Sequence, residues 1–316
     1  MNVPLQVSDF NVLKKCDKPI HLAIGVFDGV HLGHLAVIEP AVSSAQDNSG
    51  VSAVLTFDPH PSRLFKGNAG TDLIMSLKTK VARLNGFGVD VVIAKTFDKE
   101  FASIAADAFL SYLLDQLPML KAVYVGENFR FGQGRVGDIQ TLIESGSASG
   151  IDVWSIDRIK QNGLPISSTR IREALRLGQV DLVNSLLGYR YVSEGTVIEG
   201  EQLGTKMGFP TMNLKWSPEC KPRYGVYAVR FLIESSGEWK KGIANFGVRP
   251  TVTNEEAIEP LLEVHSLEDC ECNLDEAIRV EWVEFIRDEK QFDSVDALKD
   301  QISQDCQLVK NLLSDG

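Results

Sequence analysis

Residues 24–34 read Ile-Gly-Val-Phe-Asp-Gly-Val-His-Leu-Gly-His, and what flanks this stretch decides the fold. Before it, residues 21–27 form an apolar run that fits a buried strand. After it, the segment from Leu35 has the spacing of an amphipathic helix. A strand, a tight Asp-Gly turn and a helix start place His31 and His34 beside backbone N–H groups with no partner inside the helix. Such a helix start attracts anions, and here two imidazoles stand with it.

Working outward, strand-like and helix-like runs alternate up to about residue 187. Strands are expected over 20–27, 51–57, 90–96, 122–125 and 152–156. Helices are expected over 35–46, 77–85, 104–116, 138–145 and 169–177. That alternation predicts an α/β doubly wound parallel sheet with helices on both faces, a Rossmann-like domain over residues 1–187. Ligands of such sheets sit beyond the carboxyl ends of the strands. The His motif, the Asp58-Pro59-His60-Pro61 turn and the 126–134 loop should therefore share one rim. After Gly188 the strand-like runs at 195–198, 225–233, 239–245, 261–265 and 278–285 have no helix between them. They predict a small antiparallel β-barrel over 188–316, with residues 294–313 as a terminal helix.

The chain has 316 residues, room for two domains with substantial cores. No apolar run is long enough to span a bilayer, so no membrane partner is expected. The first residues lack the basic and apolar regions of a signal peptide. Five cysteines without a regular framework suggest reduced thiols and a cytoplasmic setting. Cys270 and Cys272 have no second ligand pair at zinc spacing and read as surface thiols. A net charge of −11 argues against nucleic acid as a partner, since that binding needs basic patches. Anionic ligands would have to be held locally, by helix starts, a few Arg and Lys, and a divalent metal.

Four motifs then appear in order. They are Gly25-x-Phe27-Asp28-Gly29-x-His31-x-Gly33-His34, Thr56-Phe57-Asp58-Pro59-His60-Pro61, Gly126-Glu127-Asn128-Phe129-Arg130-Phe131-Gly132 and Ile166-Ser167-Ser168-Thr169-Arg170-Ile171-Arg172. The first resembles the signature of nucleotidyltransferases. The set resembles the N-terminal half of the bacterial bifunctional riboflavin kinase/FAD synthetase family. The resemblance implies attack of an FMN phosphate oxygen on the α-phosphorus of ATP, giving FAD and pyrophosphate. It implies catalytic roles for His31, His34 and Arg172. It puts Gly25, Phe27, Asp28, Gly29, Gly33, Ser167, Ser168 and Thr169 around ATP, and Pro59, His60 and Asn128 on the flavin side. Read alone, Ser167, Ser168 and Thr169 are helix caps and His60 belongs to a rigid turn. The 126–132 loop, with Asn128 between glycines and aromatics, favours a flat ring stacked against it.

The second half is similar to riboflavin kinase of the same family. The similarity rests on Gly208-Phe209-Pro210-Thr211-Met212-Asn213, Gly225-Val226-Tyr227, Asn245-x-Gly247, Glu263-Val264-His265 and Phe285-x-Arg287-x-Glu289. It implies transfer of the γ-phosphate of ATP to the ribityl hydroxyl of riboflavin. Thr211 and Asn213 would hold Mg²⁺, Glu263 would act as base, Lys206 would lie near phosphate and Arg287 near flavin. No Gly-x-x-x-x-Gly-Lys-Ser/Thr loop is present, which excludes a Walker-type kinase. Gly204-Thr205-Lys206-Met207 and Leu274-Asp275-Glu276 depart from the family pattern. They motivate one alternative, a single-activity FAD synthetase with a flavin-binding barrel. A non-catalytic flavin sensor is the other, and the intact polar residues at both sites speak against it.

Overall fold

The computed structural model describes residues 5–7, 9–200, 208–248 and 260–314. The chain divides into two compact units, Met1–Ser168 and Thr169–Gly316.

In the first unit, six strands run parallel: β1 (Leu5–Val7), β2 (Ile20–Ile24), β3 (Val51–Phe57), β4 (Val91–Lys95), β5 (Leu120–Gly126) and β6 (Asp152–Ile156). Their order is β1-β4-β3-β2-β5-β6. Every residue of β2 is buried, as a central parallel strand covered on both faces requires. Alternate residues enter two cores. Ile20, Leu22 and Ile24 pack with Leu110 and Leu113 of α6 (Phe109–Gln116). Ala23 and Val54 pack with Leu35 and Ile38 of α2 (Leu32–Asp47) and Leu84 of α4 (Leu77–Gly86). This is the doubly wound sheet that the alternation predicts. The edge strand β1 was not expected; three residues give too short a period to read. The remaining elements here are α1 (Asn11–Lys14), α3 (Pro61–Lys66), α5 (Lys99–Ala102), α7 (Ile139–Ser149) and a hairpin of β7 (Lys160–Gln161) and β8 (Leu164–Pro165).

The strand order reverses between β2 and β5, the point where such sheets open a ligand crevice. The segments after β2, β3 and β5 all leave the carboxyl edge of the sheet, so the His motif, the His60 turn and the Asn128 loop do share one rim.

Helices α8 (Ser168–Arg176) and α9 (Val180–Leu187) precede the barrel. The compact division therefore falls earlier than the 187/188 boundary read from the sequence. The cause is α9, which buries Val180, Val183, Leu186 and Leu187. Its Asn184 amide donates to the Trp282 carbonyl (2.9 Å) and its side-chain oxygen accepts from the Tyr191 N–H (2.7 Å).

The barrel is closed by β9 (Val192–Ile198), β10 (Thr211–Lys215), β11 (Gly225–Ile233), β12 (Trp239–Val248), β13 (Pro260–Ser266) and β14 (Ala277–Arg287). Its order is β10-β13-β12-β11-β14-β9, with every pairing antiparallel. Trp282, Tyr227, Phe231 and Phe246 fill the interior, and the buried indole N–H of Trp282 donates to Ser193 Oγ (2.9 Å). Helix α10 (Val295–Leu312), capped by Ser294, lays Cys306 and Val309 over Val226, Ala228 and Ile243 on the outside of the barrel.

Candidate active sites

In the first unit the chain leaves β2 through a turn that few residues tolerate. Phe27, Gly29 and Val30 have φ of 49°, 86° and 37°. A β-branched residue at positive φ is a true outlier, and each such position costs about 1–3 kcal/mol. The turn ends β2 at Ile24 rather than at Phe27. It delivers His31 to the N-cap of α2, where His31 Nδ1 accepts from the His34 N–H (3.2 Å). In a neutral ring that acceptor role places the proton on Nε2, making it a donor. The two imidazoles stack, with centroids 3.5 Å apart and planes at 18°. The edge of Phe27 closes on His34 at 5.3 Å. Gly33 permits a close approach here: a Cβ would press on the His31 ring at 3.2 Å and touch the Ile166 carbonyl at 3.4 Å. The start of α2 thus abuts the fourth motif.

Ser168, the first residue of α8, donates from Oγ to the Asp28 carbonyl (2.8 Å), tying the fourth motif to the first. The buried Asp28 carboxylate accepts from the Ile74 N–H with both oxygens at 3.1 Å. Thr169 and Arg172 lie on the following turn of α8, Thr169 exposed and Arg172 buried. His60 caps α3, its Nδ1 accepting from the Ser62 N–H (3.1 Å), with exposed Pro59 before it.

The 126–132 loop differs from the expectation. Phe129 and Phe131 stack on each other, and Phe131 is buried against Phe109 (4.9 Å). An antiparallel bridge from Phe131 to Gly137 folds the rings inward, so that ring belongs to the core. Asn128 stays exposed at the rim, its amide donating to Glu127 Oε1 (3.2 Å).

In the barrel, register does the positioning. Glu263 of β13 pairs with Asn213 of β10 on one side and Asn245 of β12 on the other. Directly opposed residues share a face, so Asn213, Glu263 and Asn245 form one polar row. Ile243, two residues from Asn245, marks that face as the outer one, under α10. Thr211 lies two residues from Asn213 and projects to the same side. His265, opposite Thr211, donates from Nδ1 to the Pro210 carbonyl (2.8 Å), fastening the Gly-Phe-Pro-Thr segment to β13. Beside it lies a cavity of about 650 Å³ lined by Pro210, Thr211, His265, Glu268 and Asp269, among others. Gly200 crosses directly over the Asn213 amide, with no room for a Cβ. The hydroxyl and amide oxygens of Thr211 and Asn213 are hard donors. They suit a cation that keeps waters and phosphate oxygens as its other ligands.

Arg287 is engaged within the protein. Its Nη2 lies 2.7 Å from Asp305 Oδ2, pinning β14 to α10, and its Nη1 donates to the Asp288 carbonyl (2.9 Å). Lys206 and the departing 204–207 segment lie outside the described residues. The 274–276 departure has its own bonding. Glu276 accepts from the Asn273 N–H (2.8 Å) and Ser235 Oγ (2.7 Å), which hold its carboxyl down at about 2. Cys270 and Cys272 are half-buried rather than on the surface, and burial raises both thiols, Cys272 to about 12.

Sequence reading missed Asn245 and Lys80. Asn245 lay inside a quoted motif, and only strand register reveals its neighbours. Lys80 is 3% exposed; its Nζ donates to the Val26 carbonyl (2.8 Å) and Thr56 Oγ1 (3.3 Å). The signal for it was position, since it shares a helix face with Leu77 and Leu84.

A family model described as FAD synthetase matches residues 13–170, and one described as riboflavin kinase matches 187–313. Proteins named bifunctional riboflavin kinase/FMN adenylyltransferase are similar along nearly the whole chain. That of Escherichia coli (strain K12) is 38% identical, covering 90% of each chain. That of Haemophilus influenzae is 37% identical over 92% of each, and that of Bacillus subtilis 34% over 90% of each. A crystal structure titled macrolide-efflux protein from Streptococcus pneumoniae shares the fold, with a TM-score of 0.87 and 26% identity. It covers 98% of this chain and 99% of that one. No helix among the described residues is long and apolar enough to cross a membrane.

A nucleotidyltransferase-type sheet and a flavokinase-type barrel in one chain define a two-domain flavin phosphotransferase. The chain belongs to the bifunctional riboflavin kinase/FMN adenylyltransferase family. It phosphorylates riboflavin to FMN and adenylylates FMN to FAD, using ATP in both reactions. A single-activity enzyme is not favoured, because both domain models match and the relatives carry both names.

Proposed function

We propose that the two reactions are divided between the two halves, adenylyl transfer within residues 1–187 and riboflavin phosphorylation within 188–316. The carrying observation is that the two constellations stand on different scaffolds. His31 caps α2 at the reversal point of the parallel sheet, whereas Glu263 lies in a polar row on the barrel.

In adenylyl transfer, an FMN phosphate oxygen attacks the α-phosphorus of ATP and pyrophosphate leaves. Negative charge grows on the phosphate oxygens, and the protein must position and stabilise it. His31, through Nε2–H, and His34 donate to those oxygens beside the start of α2. The turn of Gly25, Phe27, Asp28 and Gly29, with Gly33 in the first turn of α2, lets the backbone approach the triphosphate. Ser167, Ser168, Thr169 and Arg172 carry the phosphate-binding roles that the family resemblance gives the fourth motif, while Pro59, His60 and Asn128 face the flavin. In the kinase, Glu263 takes the proton of the ribityl hydroxyl as its oxygen attacks the γ-phosphorus and ADP leaves. Thr211 and Asn213 would hold Mg²⁺, which when bound neutralises phosphate charge. Lys206 adds positive charge near phosphate. Arg287 serves the flavin side through the β14–α10 junction it holds together.

Expressing residues 169–316 alone tests the division. The fragment keeps α9, whose four buried aliphatic side chains contribute about 1.5–3 kcal/mol each. It should fold, phosphorylate riboflavin and make no FAD. A fragment that melts cooperatively yet makes no FMN would contradict the assignment.

A further inference from the structure

Three fasteners stand out on the strained turn that aims His31, and two of them come from the segment around α4. Ile74, just before α4, gives its N–H to the Asp28 carboxylate. Ser168 Oγ holds the Asp28 carbonyl. The third is Lys80 itself, within α4. Its ammonium donates to the Val26 carbonyl (2.8 Å) and to Thr56 Oγ1 (3.3 Å), while Thr56 Oγ1 donates to the same Val26 carbonyl (2.8 Å). Thr56 and Lys80 are both buried. The Val26 carbonyl and Thr56 Oγ1 are uncharged acceptors, so among the described residues a costly buried cation sits against the turn without a carboxylate hydrogen-bonded to it. Backbone strain persists only where the surroundings over-determine it.

We propose that Lys80 is a positioning residue for adenylyl transfer: with Thr56 it braces the 26–30 turn and so fixes His31 at the start of α2. This rests on the placing of adenylyl transfer at His31. A brace of this kind acts on the geometry of the reacting groups rather than on the hold on substrates. Misplacement of such groups by about 1 Å costs on the order of 10²-fold in rate. Charge on Lys80 also matters, because a charged donor makes the stronger hydrogen bond. Burial lowers its basicity below the ordinary lysine range, while Asp28 and Asp58, the carboxylates facing it from the turn and the end of β3, favour the charged form. Raising the pH through that point weakens the brace.

The experiment follows FAD formation from supplied FMN and FMN formation from riboflavin, on the full chain, across pH. Lys80→Met should lower kcat for FAD by about tenfold or more. The KM values for FMN and ATP should stay within about twofold and FMN formation should be unchanged. The wild type should lose FAD turnover on the alkaline side, and Lys80→Met should lack that limb. Thr56→Val, which keeps the shape and removes the shared hydroxyl, should lower the same kcat in the same way and covers the case in which Lys80→Met fails to fold. A folded Lys80→Met or Thr56→Val with wild-type kcat and an unchanged alkaline limb overturns the proposal. So does a fall in kcat matched by an equal fall in FMN formation. His31→Ala is run beside them: if it keeps FAD formation, the site assignment has failed, and Lys80 is not the cause.

Discussion

His31→Ala should abolish FAD formation from supplied FMN while FMN formation from riboflavin continues. The imidazole caps α2 through Nδ1, and in the proposed mechanism its Nε2–H meets the developing charge beside the helix start. Donors of this kind act in a site from which water is excluded, and removing one typically costs about 10²–10³ in kcat. The loss here should exceed that of one donor. Alanine also removes the ring on which His34 stacks at 3.5 Å, so both imidazoles lose their placement. The cap itself is worth only about 1 kcal/mol, a small part of the stability of a six-stranded sheet, so the unit should remain folded. Assays of both products by chromatography, with melting followed by circular dichroism, check this. Loss of both activities in a folded variant would mean that the two reactions share the histidine.

Glu263→Gln should remove most riboflavin phosphorylation and leave substrate binding nearly intact. Glutamine keeps the shape and the register between Asn213 and Asn245 but cannot take a proton. General-base contributions are about 10²–10⁴-fold, and the loss should fall in kcat. FAD synthesis from supplied FMN should be unchanged. A Glu263→Gln enzyme that phosphorylates riboflavin at the wild-type rate would remove the base from the mechanism and leave positioning to carry the reaction.

Much of the molecule was legible from residue patterns because those patterns follow local periods. The continuous apolar run around Ile20–Ile24 gave a buried strand, and the alternation of Ile278, Val280 and Trp282 gave a barrel strand. Strand β10 was hidden because Thr211-Met212-Asn213 drew attention for its chemistry rather than its period. The company Glu263 keeps was also hidden, since Asn213 and Asn245 reach it through register, which spacing along the chain does not encode. Phe131 looked like part of a ligand platform; the bridge to Gly137 that turns it into the core is a tertiary pairing. The pairing of Arg287 with Asp305 of α10 was hidden too, because it is a tertiary contact that spacing along the chain does not encode. Lys80 carried a faint signal, a charged residue on an apolar helix face, which a charge-rich segment makes easy to pass over.

The most direct test mixes the two variants. His31→Ala alone, given riboflavin, ATP and Mg²⁺, should stop at FMN, and Glu263→Gln alone should yield little of either product. Combined in one tube, they should make FAD from riboflavin, because FMN released by the first is adenylylated by the second. No FAD from the mixture, with each variant folded and active in its remaining reaction, would contradict two separate sites that exchange FMN through solution.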